Sequence, residues 1–168
     1  DHHGDMERYW GCKQKLFFNH LKPVDEGMRV RSIVNATDPK GKELASRLGG
    51  GVWCTTIDTD GDIFPRSTQR NLAGICGTIA IPDGAIDFSS SLVGDFNLEN
   101  LLSATGAALA LGIHPKIIAD GIGSTACVPG RLERISGNEK QTVFVDYAHT
   151  PNALENATAA LRALTPAV

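Results

Sequence analysis

Along residues 6–21, hydrophobic and polar positions repeat at three- and four-residue spacings, with Tyr9, Lys13, Leu16 and Phe17 near one face, and this spacing predicts a helix. Lys22-Pro23 ends it, because proline disfavours helix at the residue before it. Residues 29–34 read as a short strand. Asn35-Ala36-Thr37-Asp38-Pro39 is turn chemistry that also offers an N-cap, and 40–48 reads as a short helix closed by Gly49-Gly50-Gly51. Residues 52–57 are β-rich, and Asp60-Gly61 suits a hairpin turn after them. The stretch 75–91 predicts two strands about Pro82-Asp83-Gly84.

The second half is more regular. Residues 97–111 form an Ala- and Leu-rich helical run ending at Gly112, and Pro115 opens a short helix to about Ile122. Residues 131–135 and 142–147 read as strands joined by Gly137-Asn138. Pro151 sits at the first position of a final helix running to about Leu164. This alternation predicts a mixed α/β fold without internal repeats or low-complexity segments.

Composition narrows the function classes. A hydrophobic share of 42% with 21% charged residues is that of a globular domain. The formal net charge of -3 argues against a nucleic-acid binder, whose footprint is a basic patch. No apolar run approaches the roughly 20 residues of a membrane helix, and no basic-then-apolar leader opens the sequence. Cys12, Cys54, Cys76 and Cys127 lack Cys-x-x-Cys spacing, which favours reduced thiols and a cytoplasmic location over a disulfide frame or zinc site. The 168 residues suffice for one core, or for one domain and part of another. The opening without Met and the stop at Thr165-Pro166-Ala167-Val168 suggest a segment of a longer chain.

Four places carry candidate chemistry, each with a plainer reading beside it. Asp1, His2, His3 and Asp5 combine carboxylate and imidazole, both ligands for divalent ions, or form a solvated terminus; Lys13 behind them reads as a surface charge. Asn97 and Asn100, three apart at a helix start, can offer two amides to the edge of a base, or Asn97 is an N-cap. Val128-Pro129-Gly130-Arg131 presents a guanidinium suited to phosphate oxygens, or simply an exposed strand start. Asp146, His149 and Thr150 lie where a strand passes into a helix, a place where α/β sheets collect ligands, though His149 and Thr150 can equally cap that helix. Neither Gly-x-x-x-x-Gly-Lys-Ser/Thr nor Gly-x-Gly-x-x-Gly occurs, so nothing in these residues alone cradles a nucleotide triphosphate.

Taken in order, five strings resemble the Mur ligase family, most closely its tripeptide-synthetase branch. They are Asp1-His2-His3-Gly4-Asp5-Met6-Glu7-Arg8-Tyr9 with Lys13; Asn35-Ala36-Thr37-Asp38-Pro39; and Leu92-Val93-Gly94-Asp95-Phe96-Asn97-Leu98-Glu99-Asn100-Leu101-Leu102. Val128-Pro129-Gly130-Arg131-Leu132-Glu133 and Asp146-Tyr147-Ala148-His149-Thr150-Pro151-Asn152-Ala153-Leu154 complete them. The resemblance implies the latter part of a central P-loop ATPase-like domain without its P-loop, at 1–127. The start of a Rossmann-like C-terminal domain would follow at 128–168. It also implies an ATP- and Mg2+-dependent ligase of peptidoglycan biosynthesis. Through an acyl phosphate, this enzyme adds meso-diaminopimelate or L-lysine to UDP-N-acetylmuramoyl-L-alanyl-D-glutamate.

By position, Lys13 matches the lysine that the family carbamylates to hold magnesium, with His3 beside it. Asn97 and Asn100 match the adenine contacts, and Arg131 and Asp146 match residues that reach the nucleotide from the third domain. His149 shares the last motif. Asp95 stands where relatives often carry a basic residue, and Gly11-Cys12 replaces a pair of alanines. Without the P-loop, this chain by itself is expected not to ligate. A cyanophycin or folylpolyglutamate synthetase, or a non-catalytic α/β binding module, are the alternatives.

Overall fold

In the computed structural model, which describes residues 4–21, 32–138 and 141–165, five helices and seven strands alternate as an α/β fold. Helix α1 (Met6–Lys15) begins where Asp5 accepts the Arg8 amide, and runs into a π-helical turn, Leu16–His20, closed by Leu21 N donating to Leu16 O at 3.0 Å. Strand β1 (Ser32–Asn35) leads through the Asp38 cap, whose carboxylate accepts the Lys40 amide, into α2 (Pro39–Leu48). Strand β2 (Val52–Thr55) lies parallel to β1, Ser32 opposite Val52 and Asn35 opposite Thr55. Parallel pairing needs a crossover, and α2 provides it. Val34, Leu44 and Leu48 are buried together beneath Trp10 and Phe17.

The expected hairpin at Asp60-Gly61 is not formed. Asp62 and Ile63 amides both donate to Cys54 O, and Ile63 bridges Thr55 in the parallel sense, so the loop carries the chain onward instead of folding it back. Strand β3 (Phe64–Asn71), absent from the sequence expectation, then pairs antiparallel with β4 (Gly74–Ile81), and β4 with β5 (Gly84–Ser90). The two strands expected in 75–91 are these last two. Along β5 the burial alternates, with Ile86, Phe88 and Ser90 inward.

Helix α3 (Asp95–Ala110) buries Leu98, Leu101, Leu102 and Thr105, the i, i+3, i+4, i+7 stripe of a core-facing helix. Helix α4 (Pro115–Ser124) adds Ile118 and Ile122 to the same core, which also holds Ile63, Ile75 and Ile79. Gly106 is where α3 comes closest: a Cβ there would lie 2.9 Å from Ile33 and 3.0 Å from Ile63. Ser91 Oγ bonds Thr125 O and Ala126 O, fixing the exit from α4. The chain then forms the hairpin β6 (Glu133–Asn138) and β7 (Gln141–Val145), and ends in α5 (Pro151–Leu164). Gly137 and Asn138, expected as the turn, are paired in β6 with Thr142 and Gln141. Among the described residues no helix is long and apolar enough to cross a membrane.

Candidate functional site

The 128–133 turn is closed by its own residues. Arg131 N donates to Val128 O at 3.0 Å, Gly130 N to Glu133 Oε2 at 2.9 Å, and Tyr147 N to Gly130 O at 2.8 Å. Asp146, half-buried at the end of β7, receives two backbone amides at 2.8 Å each, Leu132 N on Oδ2 and Ala148 N on Oδ1. Each oxygen keeps acceptor capacity for a further donor such as a hydroxyl. Arg131 stands exposed at the close of the turn, after its Pro129-Gly130 apex. His149 is exposed too. Its Nδ1 lies 2.9 Å from Tyr147 O, an acceptor, so the ring carries its proton there and leaves Nε2 to accept. The capping role falls to Thr150, whose Oγ1 accepts the Ala153 amide at 3.3 Å.

Leu132, beside Arg131, has φ 41, the sole positive φ outside glycine among the described residues, and is only 3% exposed. For a residue with a Cβ this conformation costs about 1–2 kcal/mol. Its side chain rests over Gly94, the residue that caps α3: a Cβ at Gly94 would meet Leu132 Cδ1 at 3.3 Å and Phe96 Cε1 at 3.2 Å. The Arg131–Asp146 turn thus abuts the start of the helix that carries Asn97 and Asn100.

Those two amides differ in depth. Asn97 is not an N-cap; it is the third residue of α3, 1% exposed, with Nδ2 donating to Val93 O at 2.8 Å. Asn100 is exposed. Two further contacts fix this turn, neither of them foreseen from spacing. Arg70 reaches from β3 to Asp95 at 2.5 Å, so the departure at Asp95 places an acid where β3 supplies the matching base. Asn35, at the carboxyl end of β1, donates from Nδ2 to Glu99 Oε2 at 2.7 Å while its Oδ1 accepts the Thr37 amide.

Lys13 lies on α1. It is exposed in the last turn of α1, with Nζ 4.9 Å from the Tyr9 ring centre. Tyr9 also walls a cleft of about 470 Å³ with Met6, Trp10, Asp38, Pro39 and Lys40. His3 lies outside the described residues. Among those described, no group of three His, Cys, Asp or Glu side chains is arranged to hold a metal ion. The four cysteines are free thiols. Burial, then Asp62 and Asp60, push the Cys54 thiol up, which keeps it protonated and a weak nucleophile at neutral pH.

Residues 1–108 match the family profile described as Mur ligase middle domain, and 130–167 match the one described as Mur ligase, glutamate ligase domain. A protein named UDP-N-acetylmuramoyl-L-alanyl-D-glutamate--2,6-diaminopimelate ligase from a Nostoc species is 41% identical over 170 residues, covering 99% of this chain and 33% of its own length. A protein of the same name from Gloeobacter violaceus is 43% identical over 163 residues, covering 96% and 32% respectively. A solved structure of a ligase with that name superposes with a TM-score of 0.72 at 27% identity, covering 95% of this chain and 32% of the other. The chain therefore spans about a third of the length of the curated relatives it matches.

Proposed function

The chain belongs to the Mur ligase family, and from that membership we propose that it serves, within a longer protein, as the nucleotide-facing part of a diaminopimelate-adding ligase. The observation that carries this reading is identity of about 40% over nearly the whole chain to proteins of that name. In the proposed reaction one of the two free carboxylates of the D-glutamyl residue in UDP-N-acetylmuramoyl-L-alanyl-D-glutamate attacks the γ-phosphorus of ATP, and ADP leaves. The amine of meso-diaminopimelate then attacks the acyl-phosphate carbonyl. Phosphate departs and an amide remains. L-Lysine is the competing amine. The reaction would take place in the cytoplasm, where the nucleotide precursors are made.

The roles of individual residues are part of the proposal. Asn100, exposed on α3, would contact the adenine, and buried Asn97 would hold the backbone on which that contact depends. Arg131 would offer its guanidinium to the nucleotide phosphates. Asp146 has acceptor capacity left for a ribose hydroxyl, and His149 Nε2 can accept from a water or a hydroxyl beside it. We place the boundary between the two domains at 127/128, ahead of the Pro129-Gly130 turn.

Magnesium, as family chemistry, would neutralise phosphate charge when bound. Lys13, as its carbamate, would contribute one carboxylate-like ligand. The described residues do not complete a metal shell around it, so no step is routed through the ion.

The test is ATP-dependent phosphate release by the full-length protein containing this chain, with the dipeptide nucleotide and either diaminopimelate or lysine. Release that needs the nucleotide and diaminopimelate is expected. Release with lysine alone would reverse the amine assignment. Release driven by a folate and glutamate instead would move the protein to the folylpolyglutamate synthetases.

A further inference from the structure

We propose that Leu132 is a positioning residue for the nucleotide: its left-handed backbone holds Arg131 at the close of the turn and ties it to the first turn of α3. The inference rests on the reading that Arg131 serves ATP. A bulky residue enters this backbone region only where its surroundings over-determine it, and such residues gather at functional sites. Here the constraints are specific. The Leu132 amide is held by Asp146, and its side chain is buried over Gly94. On either side, Gly130 is bonded to Glu133 through its amide and to Tyr147 through its carbonyl.

The geometry explains why an unstrained residue would not serve. Successive residues of an extended strand point to opposite faces. A return of Leu132 to extended backbone would disturb the Asp146 bond and withdraw the side chain from Gly94. The Arg131 backbone would then lose its fixed position relative to the start of α3. Gly94 is the matching half of the contact. At φ 93 it adopts a backbone that favours glycine, and it leaves the space that the Leu132 Cδ1 fills.

The experiment uses the full-length enzyme and compares Leu132→Gly, Leu132→Met, Gly94→Ala and Arg131→Ala. KM for ATP, KM for the dipeptide nucleotide, kcat and the thermal midpoint are measured for each. Leu132→Gly permits the backbone but removes the anchor. It should raise KM for ATP by about tenfold to a hundredfold, as misplacement of a binding group does, while KM for the dipeptide nucleotide stays unchanged. Leu132→Met should keep ATP affinity near the parent value. Gly94→Ala, which crowds the anchor from the other side, should reproduce the ATP effect and carries the test if Leu132→Gly does not fold. An unchanged ATP KM in Arg131→Ala would remove the reading on which the inference stands. A raised KM in Arg131→Ala with none in Leu132→Gly or Gly94→Ala would overturn the role of Leu132 alone. Parallel rises in both KM values together with a fallen thermal midpoint would make Leu132 merely structural, and would likewise overturn it.

Discussion

Gly41, on the first turn of α2, faces the carbonyl of Asn35 so closely that a Cβ would lie 1.8 Å from that oxygen. Both partners are backbone, so neither can swing aside. Replacing Gly41 by Ala should destabilise the fold by about 2 kcal/mol or more, the upper part of the range for overpacked positions, and a urea midpoint measurement on the chain would register it. The same approach keeps α2 tight against the strand whose last residue, Asn35, holds Glu99. A single missing side chain therefore supports the β1–α3 link from behind. The exposed ion pairs, such as Lys42 with Asp60 and Lys116 with Asp120, add little by comparison, because solvent screens them.

At the scale of elements, one carboxylate ties together the chain entering β6 and the chain leaving β7. Asp146→Ala removes the acceptor for both the Leu132 and Ala148 amides, and hydrogen bonds to charged groups contribute about 1.5–3 kcal/mol each. Hydrogen exchange at those two amides should quicken by about tenfold or more, while β4 keeps its protection; equal rates in parent and variant would contradict the assignment. All five helices are legible in the sequence, and those whose starts are legible to within a residue through a proline signal, α2, α4 and α5, have Pro at the first position and a capping side chain before it, Asp38, His114 and Thr150. The start of α3 was displaced by two residues because its cap, Gly94, has no side chain, while Asn97 offers a capping amide that the structure spends on Val93. Strand β3 was invisible for a related reason. Arg66 and Arg70 break any apolar alternation, and Pro65 sits beside a register shift on an edge strand, where ladder bonds and not periodicity define the element. The candidate site was legible as strings of residue types. Its depth was not, since burial of Asn97 and the backbone of Leu132 arise from packing between segments distant in sequence.

For the molecule as a whole, burial is unevenly shared. Eleven buried residues join the meander β3–β4–β5 to α3 and α4, against three beneath α2, and neither α1 nor α5 has a fully buried residue. Protection from exchange follows local burial. Native-state exchange should therefore find the slowest amides in β4 and α3, with α1 and α5 opening first. Slowest exchange in β1 and β2 instead would mean that the parallel pair, and not the meander, organises the core. Gly106 lets α3 approach Ile33 of β1 as well as Ile63 of the larger core.

The π-helical turn Leu16–His20 follows Lys13 by only three residues. Such a turn closes its bond over five residues where an α-helix uses four, so it houses one residue more than its length requires. Chain length on either side of it is thus decoupled: a one-residue loss here would be absorbed by reversion to regular helix, leaving the direction of Lys13 untouched, whereas the same loss inside α1 would rotate that side chain by about 100°.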